Sequence, residues 1–150
     1  IRAMIERTRS LTFEISPRVL YDLGLKAALS GLCESTQRKF GLTCTLHAEG
    51  PEQKLEHNTR VLLYQAAREL LHNVMKHASA KAVHVTLKIT EGSAGLVVAD
   101  DGTGILPNRS IASGFGLFSL RERLNHLGGN LSISSLPGKG TEITVHVPSL

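Results

Sequence analysis

Residues 81–104, KAVHVTLKITEGSAGLVVADDGTG, decide the fold class of this chain. The runs KAVHVTLKIT and GLVVAD have the composition and patterning of strands, and the E-G-S between them predicts a hairpin turn. So short a connection joins antiparallel strands, since a crossover between parallel strands needs a dozen or more residues. The second strand ends in two carboxylates, Asp100 and Asp101, and the glycines that follow interrupt its regular backbone.

The rest of the chain alternates predicted helices and strands, which favours a two-layer α+β sandwich with a mixed, mostly antiparallel sheet. A doubly wound parallel sheet fits badly, because the connection within residues 130–148 is also too short for a crossover. The predicted elements are a helix stopped by Pro17, a helix from Gly24 to Lys39 capped by Gly41, a strand over residues 42–50, a helix over 58–78 with Asn58 as N-cap, the hairpin of residues 81–100, a helix ended by Gly128 and Gly129, and a strand pair within 130–148.

Composition predicts a single globular domain. The chain has 150 residues, 41% hydrophobic and 20% charged, and it contains no run of the roughly 20 apolar residues that would cross a bilayer. Its net charge of +4 is spread along the chain, which argues against direct nucleic-acid binding. Cys33 and Cys44 lack C-x-x-C spacing, so we expect two free thiols in a reducing compartment and no cysteine zinc site. The first residue is Ile, which indicates a fragment of a longer protein.

The long helix carries three polar residues on one stripe. At 100° per residue, Glu69, Asn73 and Lys76 lie within about 60° of one another, at the border of the apolar face. A carboxylate, an amide oxygen and an ammonium suit a hard cation and phosphates. An exposed polar stripe with a Glu–Lys ion pair explains the same residues.

Asp100 is predicted to lie at the edge of the core. If Leu96, Val98 and Asp100 share a strand face, the carboxylate is placed beside a glycine-rich turn whose backbone can approach a ligand. Such a group needs hydrogen-bond donors, and either a purine amine or the amides of the turn can supply them. An ordinary Asx-type turn is the alternative, whereas an EF-hand is excluded because D-D-G-T-G lacks the spaced oxygens and closing Glu.

Two further glycine pairs have a phosphate-binding or turn-forming pattern. Gly114 and Gly116 stand immediately before a helix, where backbone amides favour an anion. Gly138, Gly140 and Thr141 form a tight turn into the last strand, which a plain hairpin also explains. Neither the Walker pattern nor the dinucleotide fingerprint fits these residues.

Four segments in order resemble the GHKL ATP-binding superfamily: RELLHNVMKHA as its N box, VADDGTGI as its D-x-G-x-G box, GFGL as its second glycine box, and GKGTEITV as its terminal G-T element. Within the superfamily the chain resembles the catalytic domain of bacterial sensor histidine kinases. SLTFEISPRVLYDLGLKAAL is similar to the junction after the dimerisation helices of the NarL-type subfamily. The resemblance covers residues 58–148 and implies the Bergerat fold with a flexible ATP lid.

The resemblance implies ATP and Mg²⁺ as cofactors and a role for each matching residue. Asn73 would coordinate Mg²⁺, Glu69 is the acidic residue one turn earlier, and Lys76 would contact phosphate. Asp100, not Asp101, would accept a hydrogen bond from the adenine amino group. The other implied nucleotide-binding residues are His77, Gly102, Gly104, Gly114, Gly116, Leu117 and Thr141, the last contacting adenine directly or through water.

The implied activity is transfer of the γ-phosphate of ATP to a histidine. The family's acceptor lies on the first dimerisation helix, and no His precedes His47 here, so we expect residues 1–16 to end the second dimerisation helix and residues 17–150 to form the ATP-binding domain. The implied partners are the protein's own dimerisation helices and a response regulator. The isolated domain is expected to be monomeric and cytoplasmic, with a membrane anchor compatible with the full-length protein.

Three alternatives remain open at this point. The first is a GHKL ATPase of the gyrase, Hsp90 or mismatch-repair type, and the second is an anti-sigma-factor serine kinase. The third is a degenerate module that binds no nucleotide, which retention of Asn73, Asp100 and the glycines argues against.

Overall fold

A computed structural model describes residues 18–77, 79–104 and 115–148 of the chain. The predicted first helix, the loop from residue 105 onward and Gly114 lie outside the described residues, so these predictions stay untested. His77 belongs to a described helix, but its side chain is not among the described groups.

Four α-helices and five strands make up the described part of the chain. They are α1 (Arg18–Asp22), α2 (Leu25–Phe40), β1 (Thr43–Glu49), a short 3-10 helix (Glu52–Lys54), α3 (His57–His77), β2 (Ala82–Ile89), β3 (Ser93–Asp100), α4 (Phe115–His126), β4 (Asn130–Ser135) and β5 (Thr141–Pro148). None of the helices in these ranges is both long and apolar enough to cross a bilayer.

The five strands form one sheet in the order β1-β2-β3-β5-β4. Only β1 and β2 pair in parallel, and the other neighbours are antiparallel. Burial alternates along β2 and β3, so one face of the sheet packs against the helices while the other stays more open. The predicted two-layer α+β sandwich with a mixed, mostly antiparallel sheet is confirmed.

The core lies between the helices and the covered face of the sheet. Leu63 and Leu70 of α3 are fully buried with Leu96 of β3 and Val145 of β5. Burying each such side chain contributes about 1.5–3 kcal/mol. Leu42, just before β1, and Cys44 and Leu46 within it also face inward.

Both cysteines are free, as predicted, and both are buried. Cys33 lies on α2 and Cys44 on β1, and their side chains hydrogen-bond to each other. That bond and burial raise the pKa of Cys33, and the same bond lowers the pKa of Cys44. The two thiols therefore belong to the packing between helix and strand.

Two local predictions were wrong in detail, and one helix was missed. Asn58 is not an N-cap, because α3 already begins at His57 and the carbonyl of Glu56 accepts the N–H of Arg60 at 3.0 Å. Gly116 does not precede α4 but lies in its first turn. The separate helix α1 was not predicted, whereas Gly41 caps α2 in the left-handed conformation as expected.

Candidate functional site

The candidate site residues of the sheet lie in one row across three strands, next to a buried valine on a fourth. Val83 of β2 pairs with Asp100 of β3, Asp100 pairs with Thr141 of β5, and Thr141 pairs with Ser135 of β4. Directly paired residues point to the same face of a sheet, which here is the helix-covered face because Val83 is fully buried. We call Asp100, Thr141 and Ser135 the rim row. It places a carboxylate and two hydroxyls at the edge of an apolar surface.

Asp100 is half-buried and is held by backbone donors. Its Oδ1 accepts the N–H of Gly102 at 2.8 Å, and the backbone N–H of Thr141 also bonds to the carboxylate. Burial raises the pKa of Asp100, while these two hydrogen bonds lower it in part. The predicted sharing of one face by Leu96, Val98 and Asp100 agrees with the burial along β3. The result is a carboxylate oriented by the turn it precedes.

Asp101, the neighbouring acid, has a different environment. Its Oδ1 accepts the N–H of Lys81 at 2.8 Å and of Ala82 at 3.0 Å, so it holds the beginning of β2. The same two bonds, that from Ala82 first, lower the pKa of Asp101, which is fully exposed to solvent. Two adjacent carboxylates thus differ in role: Asp101 orders backbone at the surface, and Asp100 stands at the edge of the core.

The glycine-rich segment after Asp100 packs against the β4–β5 turn. The N–H of Gly138 donates to the carbonyl of Thr103 at 2.7 Å. Gly104 has φ +72°, and a β-carbon there would lie 2.3 Å from the carbonyl oxygen of Leu136. Gly140 has φ +88°, and a β-carbon there would lie 2.0 Å from the carbonyl oxygen of Asp100. Glycine is therefore required on both sides of this contact for steric reasons.

Glu69, Asn73 and Lys76 follow one stripe of α3. Glu69 and Asn73 are partly exposed and Lys76 is exposed. The start of α4 reaches this stripe, because a β-carbon on Gly116 would lie 1.9 Å from Oε1 of Glu69. Four residues earlier on α3, Gln65 accepts a hydrogen bond from Arg123 near the other end of α4.

The two helices consequently run antiparallel. Asn73 lies one turn past Glu69 on α3. It therefore lies beyond the point where the first turn of α4 meets α3. Helix α3 ends at His77, and β2 begins at Ala82, one residue before the partner of Asp100. This short connection brings the C-terminal part of α3 to the same end of the molecule as the rim row.

Two predicted nucleotide-binding residues have a clear structural place. Leu117 is buried in the core, 4% exposed, and Gly102, in the turn that follows Asp100, is also buried. Their roles toward a nucleotide stay predictions.

Ser135 is a site residue that reasoning from the sequence missed. Its Oγ lies 3.0 Å from Oγ1 of Thr141 and donates to the carbonyl of Gly140 at 3.2 Å. The signal available in the sequence was weak: a serine at the end of β4, opposite a threonine across a short turn. Only the strand register shows that the two hydroxyls meet.

These observations define a two-layer α+β sandwich in which a carboxylate, two hydroxyls and the end of a polar helix stripe lie at one end of the sheet. The chain belongs to the family described as histidine kinase-, DNA gyrase B-, and HSP90-like ATPases, which matches residues 58–150.

Curated relatives are sensor histidine kinases. The chain is 36% identical over 151 residues to sensor histidine kinase MctS of Rhizobium johnstonii, covering 99% of this chain and 32% of that protein. It is 34% identical over 152 residues to sensor histidine kinase NarS of Mycobacterium tuberculosis, covering 99% and 35%. Oxygen sensor histidine kinase NreB of Staphylococcus carnosus is 30% identical over 146 residues, covering 97% and 42%. The chain spans about a third of the length of these relatives. The predicted resemblance to the NarL-type group is confirmed.

Solved structures share the fold. The histidine kinase domain of a blue-light activated histidine kinase from Erythrobacter litoralis superposes with a TM-score of 0.73 at 21% identity, covering 83% of this chain and 61% of that one. At this identity the likeness concerns the fold alone.

Proposed function

We propose that this chain is the catalytic ATP-binding domain of a two-component sensor histidine kinase. It binds Mg·ATP between the rim row and the C-terminal part of α3, and it presents the γ-phosphate to a histidine on separate dimerisation helices. One observation carries the proposal: Asp100 and Thr141 stand side by side at the end of the sheet where α3 also ends. Family membership and the kinase names of the relatives support the same function.

The base of the nucleotide would bind at the rim row. Asp100 can accept a hydrogen bond from the amino group of adenine, and the Thr141 hydroxyl lies next to it in register. Val98 and Ile143, the next pair along β3 and β5, are buried, so Asp100 and Thr141 lie directly beside the apolar core. An apolar wall with a few placed polar groups is typical of small-molecule sites.

The phosphates and the metal would bind along α3. Among the described side chains, no group of three or more His, Cys, Asp or Glu residues could hold a metal ion. Mg²⁺ in a nucleotide site is commonly bound through one or two protein oxygens together with phosphates and water. The amide oxygen of Asn73 would be that ligand, Glu69 would orient the metal's waters, and the ammonium of Lys76 would neutralise phosphate charge.

The domain's contribution to phosphoryl transfer is position and charge neutralisation. The nucleophile is a histidine supplied by another segment, so the chain holds ATP in place while that segment approaches. A response regulator receives the phosphoryl group afterwards. Because both ATP and a response regulator are cytoplasmic, the domain would work in the cytoplasm, whether or not the full-length protein is anchored in a membrane.

Binding is tested by titrating Mg·ATP into the domain and two matched variants. Asp100→Asn should weaken binding about 10- to 100-fold, because a charge-assisted hydrogen bond to the base is lost. Asp101→Asn makes the same chemical change one residue away and should leave the affinity unchanged, because the Asp101 carboxylate accepts the backbone N–H groups at the start of β2. Equal affinities for all three proteins would refute the nucleotide site.

Kinase activity is separated from plain ATP hydrolysis with radiolabelled ATP. The domain is mixed with the acceptor-bearing helices of the full-length protein, and label on those helices is followed in time. A kinase transfers label to a histidine in an Asn73-dependent manner. Release of phosphate without labelled helices would assign the chain to an ATPase branch of the family instead.

A further inference from the structure

We propose that Cys33 and Cys44 form a thiol-oxidation site, at which a peroxide converts the pair reversibly to a disulfide that links α2 to β1. These are the two cysteines of the chain, and both are free and buried. The inference goes beyond the proposed function and does not rest on it, because it requires neither a nucleotide nor an acceptor histidine.

The backbone brings the two cysteines together. Gly41, with φ +70°, ends α2 and lets the chain turn directly into β1. Cys33 and Gln37 are one turn apart on α2, so they are neighbours on the helix surface. Oε1 of Gln37 accepts the backbone N–H of Cys44 at 3.1 Å. This hydrogen bond places Cys44 against the turn of α2 that carries Cys33.

The N–H that Gln37 accepts lies on the free edge of β1. The N–H of Thr43 donates to the carbonyl of Lys81 at 3.0 Å, on the side of β2. Successive N–H groups of a strand point in opposite directions, so the N–H of Cys44 is directed away from β2. The position of Cys44 is therefore held from two sides, by sheet pairing and by the Gln37 side chain.

The two thiols are already in contact within the core. Cys33 is 5% and Cys44 is 8% exposed, and their side chains hydrogen-bond to each other. Cysteines that point apart cannot be linked without backbone movement, whereas thiols in contact need only a small approach to reach the S–S distance of about 2 Å. The hydrogen bond from Cys33 lowers the pKa of Cys44, which favours the thiolate at Cys44.

Cys44 lies close to one end of the sheet. It pairs with Val83, which pairs with Asp100, so Cys44 continues the cross-strand row of Asp100 at a distance of two strand spacings, about 10 Å. Its neighbours Thr43 and Thr45 are exposed. A small uncharged oxidant such as hydrogen peroxide is the class of reagent that suits so shallow a burial.

The reaction consumes one peroxide for each disulfide. The Cys44 thiolate attacks one oxygen of hydrogen peroxide, so that an S–O bond forms, the O–O bond breaks and hydroxide leaves with the proton that Cys44 had released. The Cys33 sulfur then attacks the Cys44 sulfur, the S–S bond forms, and the sulfenic oxygen leaves as water with the Cys33 proton. Two electrons pass from the sulfurs to the peroxide. A dithiol reductant reverses the reaction by thiol–disulfide exchange.

The site is tested by treating the reduced chain with hydrogen peroxide. Intact mass should show the loss of two hydrogen atoms from a monomer, and peptide mapping should find the Cys33 peptide joined to the Cys44 peptide. Both thiols should return with dithiothreitol. The linked chain should melt about 5–10 °C higher than the reduced chain, because the disulfide closes a short loop without distorting the fold.

Cys33→Ala is the matched control, since it keeps the peroxide-reactive Cys44 and removes its partner. This variant should stop at a sulfenic acid on Cys44, which dimedone traps, and its melting temperature should not rise. The wild-type measurements decide the matter if the variant does not fold. Thiols that stay free, disulfides found only between two chains, or a linked chain that melts no higher than the reduced one would each overturn the inference.

Discussion

The backbone of Gly116 lies directly against the carboxylate of Glu69: a β-carbon on Gly116 would come within 1.9 Å of Oε1 and 2.3 Å of Cδ. The first turn of α4 and the polar stripe of α3 therefore meet with no room for a methyl group. The blocking atoms belong to the far end of a flexible side chain, so a substitution here moves the carboxylate while leaving the backbone in place.

Gly116→Ala is accordingly a way to displace Glu69 without removing it. The free energy of unfolding should stay within about 1 kcal/mol of wild type, because the gain in helix propensity offsets the rotation of Glu69. If Glu69 orients the metal's waters, the rate of phosphoryl transfer should fall. The double variant Gly116→Ala/Glu69→Ala should react at the rate of Glu69→Ala alone, since residues in contact are not additive. Independent effects of the two changes on the rate would contradict this coupling.

Gly140→Ala should destabilise the fold strongly. Its β-carbon would meet backbone, the carbonyl of Asp100 at 2.0 Å, at a φ of +88° that side chains rarely adopt. We expect a loss of at least about 2 kcal/mol in urea unfolding, from backbone strain together with the clash. Gly138→Ala is the matched control, because Gly138 has φ +78° but no atom within 4 Å of the place that a β-carbon would take. The Gly138→Ala variant should lose only about 1 kcal/mol of unfolding free energy, the cost of placing a side chain at a positive φ. Equal losses of unfolding free energy in the two variants would show that the backbone contact between Gly140 and Asp100 can shift at little cost.

Asp100→Asn should stabilise the domain at neutral pH while weakening ATP binding. Burial raises the folded-state pKa of Asp100 above its ordinary value of 3.8, so the stability linked to this group is present below that value and is lost as pH rises through the folded pKa. Asparagine is uncharged like the protonated Asp100 side chain, so the variant does not lose this stability as the pH rises. Thermal unfolding of both proteins should show the variant melting higher at about pH 7, with the difference shrinking below about pH 4. A lower melting temperature for the variant at neutral pH would mean that the Gly102 and Thr141 hydrogen bonds outweigh burial.

Asp101→Asn should change the pH dependence in the opposite sense. Hydrogen bonds from Ala82 and Lys81 lower the folded-state pKa of Asp101 below its ordinary value of 3.8. Its contribution to stability is therefore present above that value and disappears as pH falls through the folded pKa. The variant should melt slightly lower than wild type at neutral pH and converge with it in acid. A difference that stays constant over the whole pH range would show that the Asp101 charge has no part in holding β2.

Much of the architecture could be predicted from the sequence, because it follows from local rules. The helical pattern of residues 58–78 predicted α3, and the E-G-S turn predicted the β2–β3 hairpin. The errors fell at helix ends, where one residue decides the outcome: Asn58 and Gly116 both lie inside helices they were expected to precede. Helix ends depend on which carbonyl accepts the first bond, and composition constrains that weakly.

Some features of the candidate site could likewise be predicted from the sequence, and others could not. The types of its residues, an acid after a strand, glycines beside it and a polar stripe on a helix, could be read from the chain because each is local in sequence. The contacts between them could not: Ser135 reaches Thr141, Gly140 closes on Asp100, and Gly116 lies on Glu69. Each of these contacts depends on strand register or helix packing, which a local pattern does not encode, because residues far apart in the chain meet only when the whole sheet and its helices are packed.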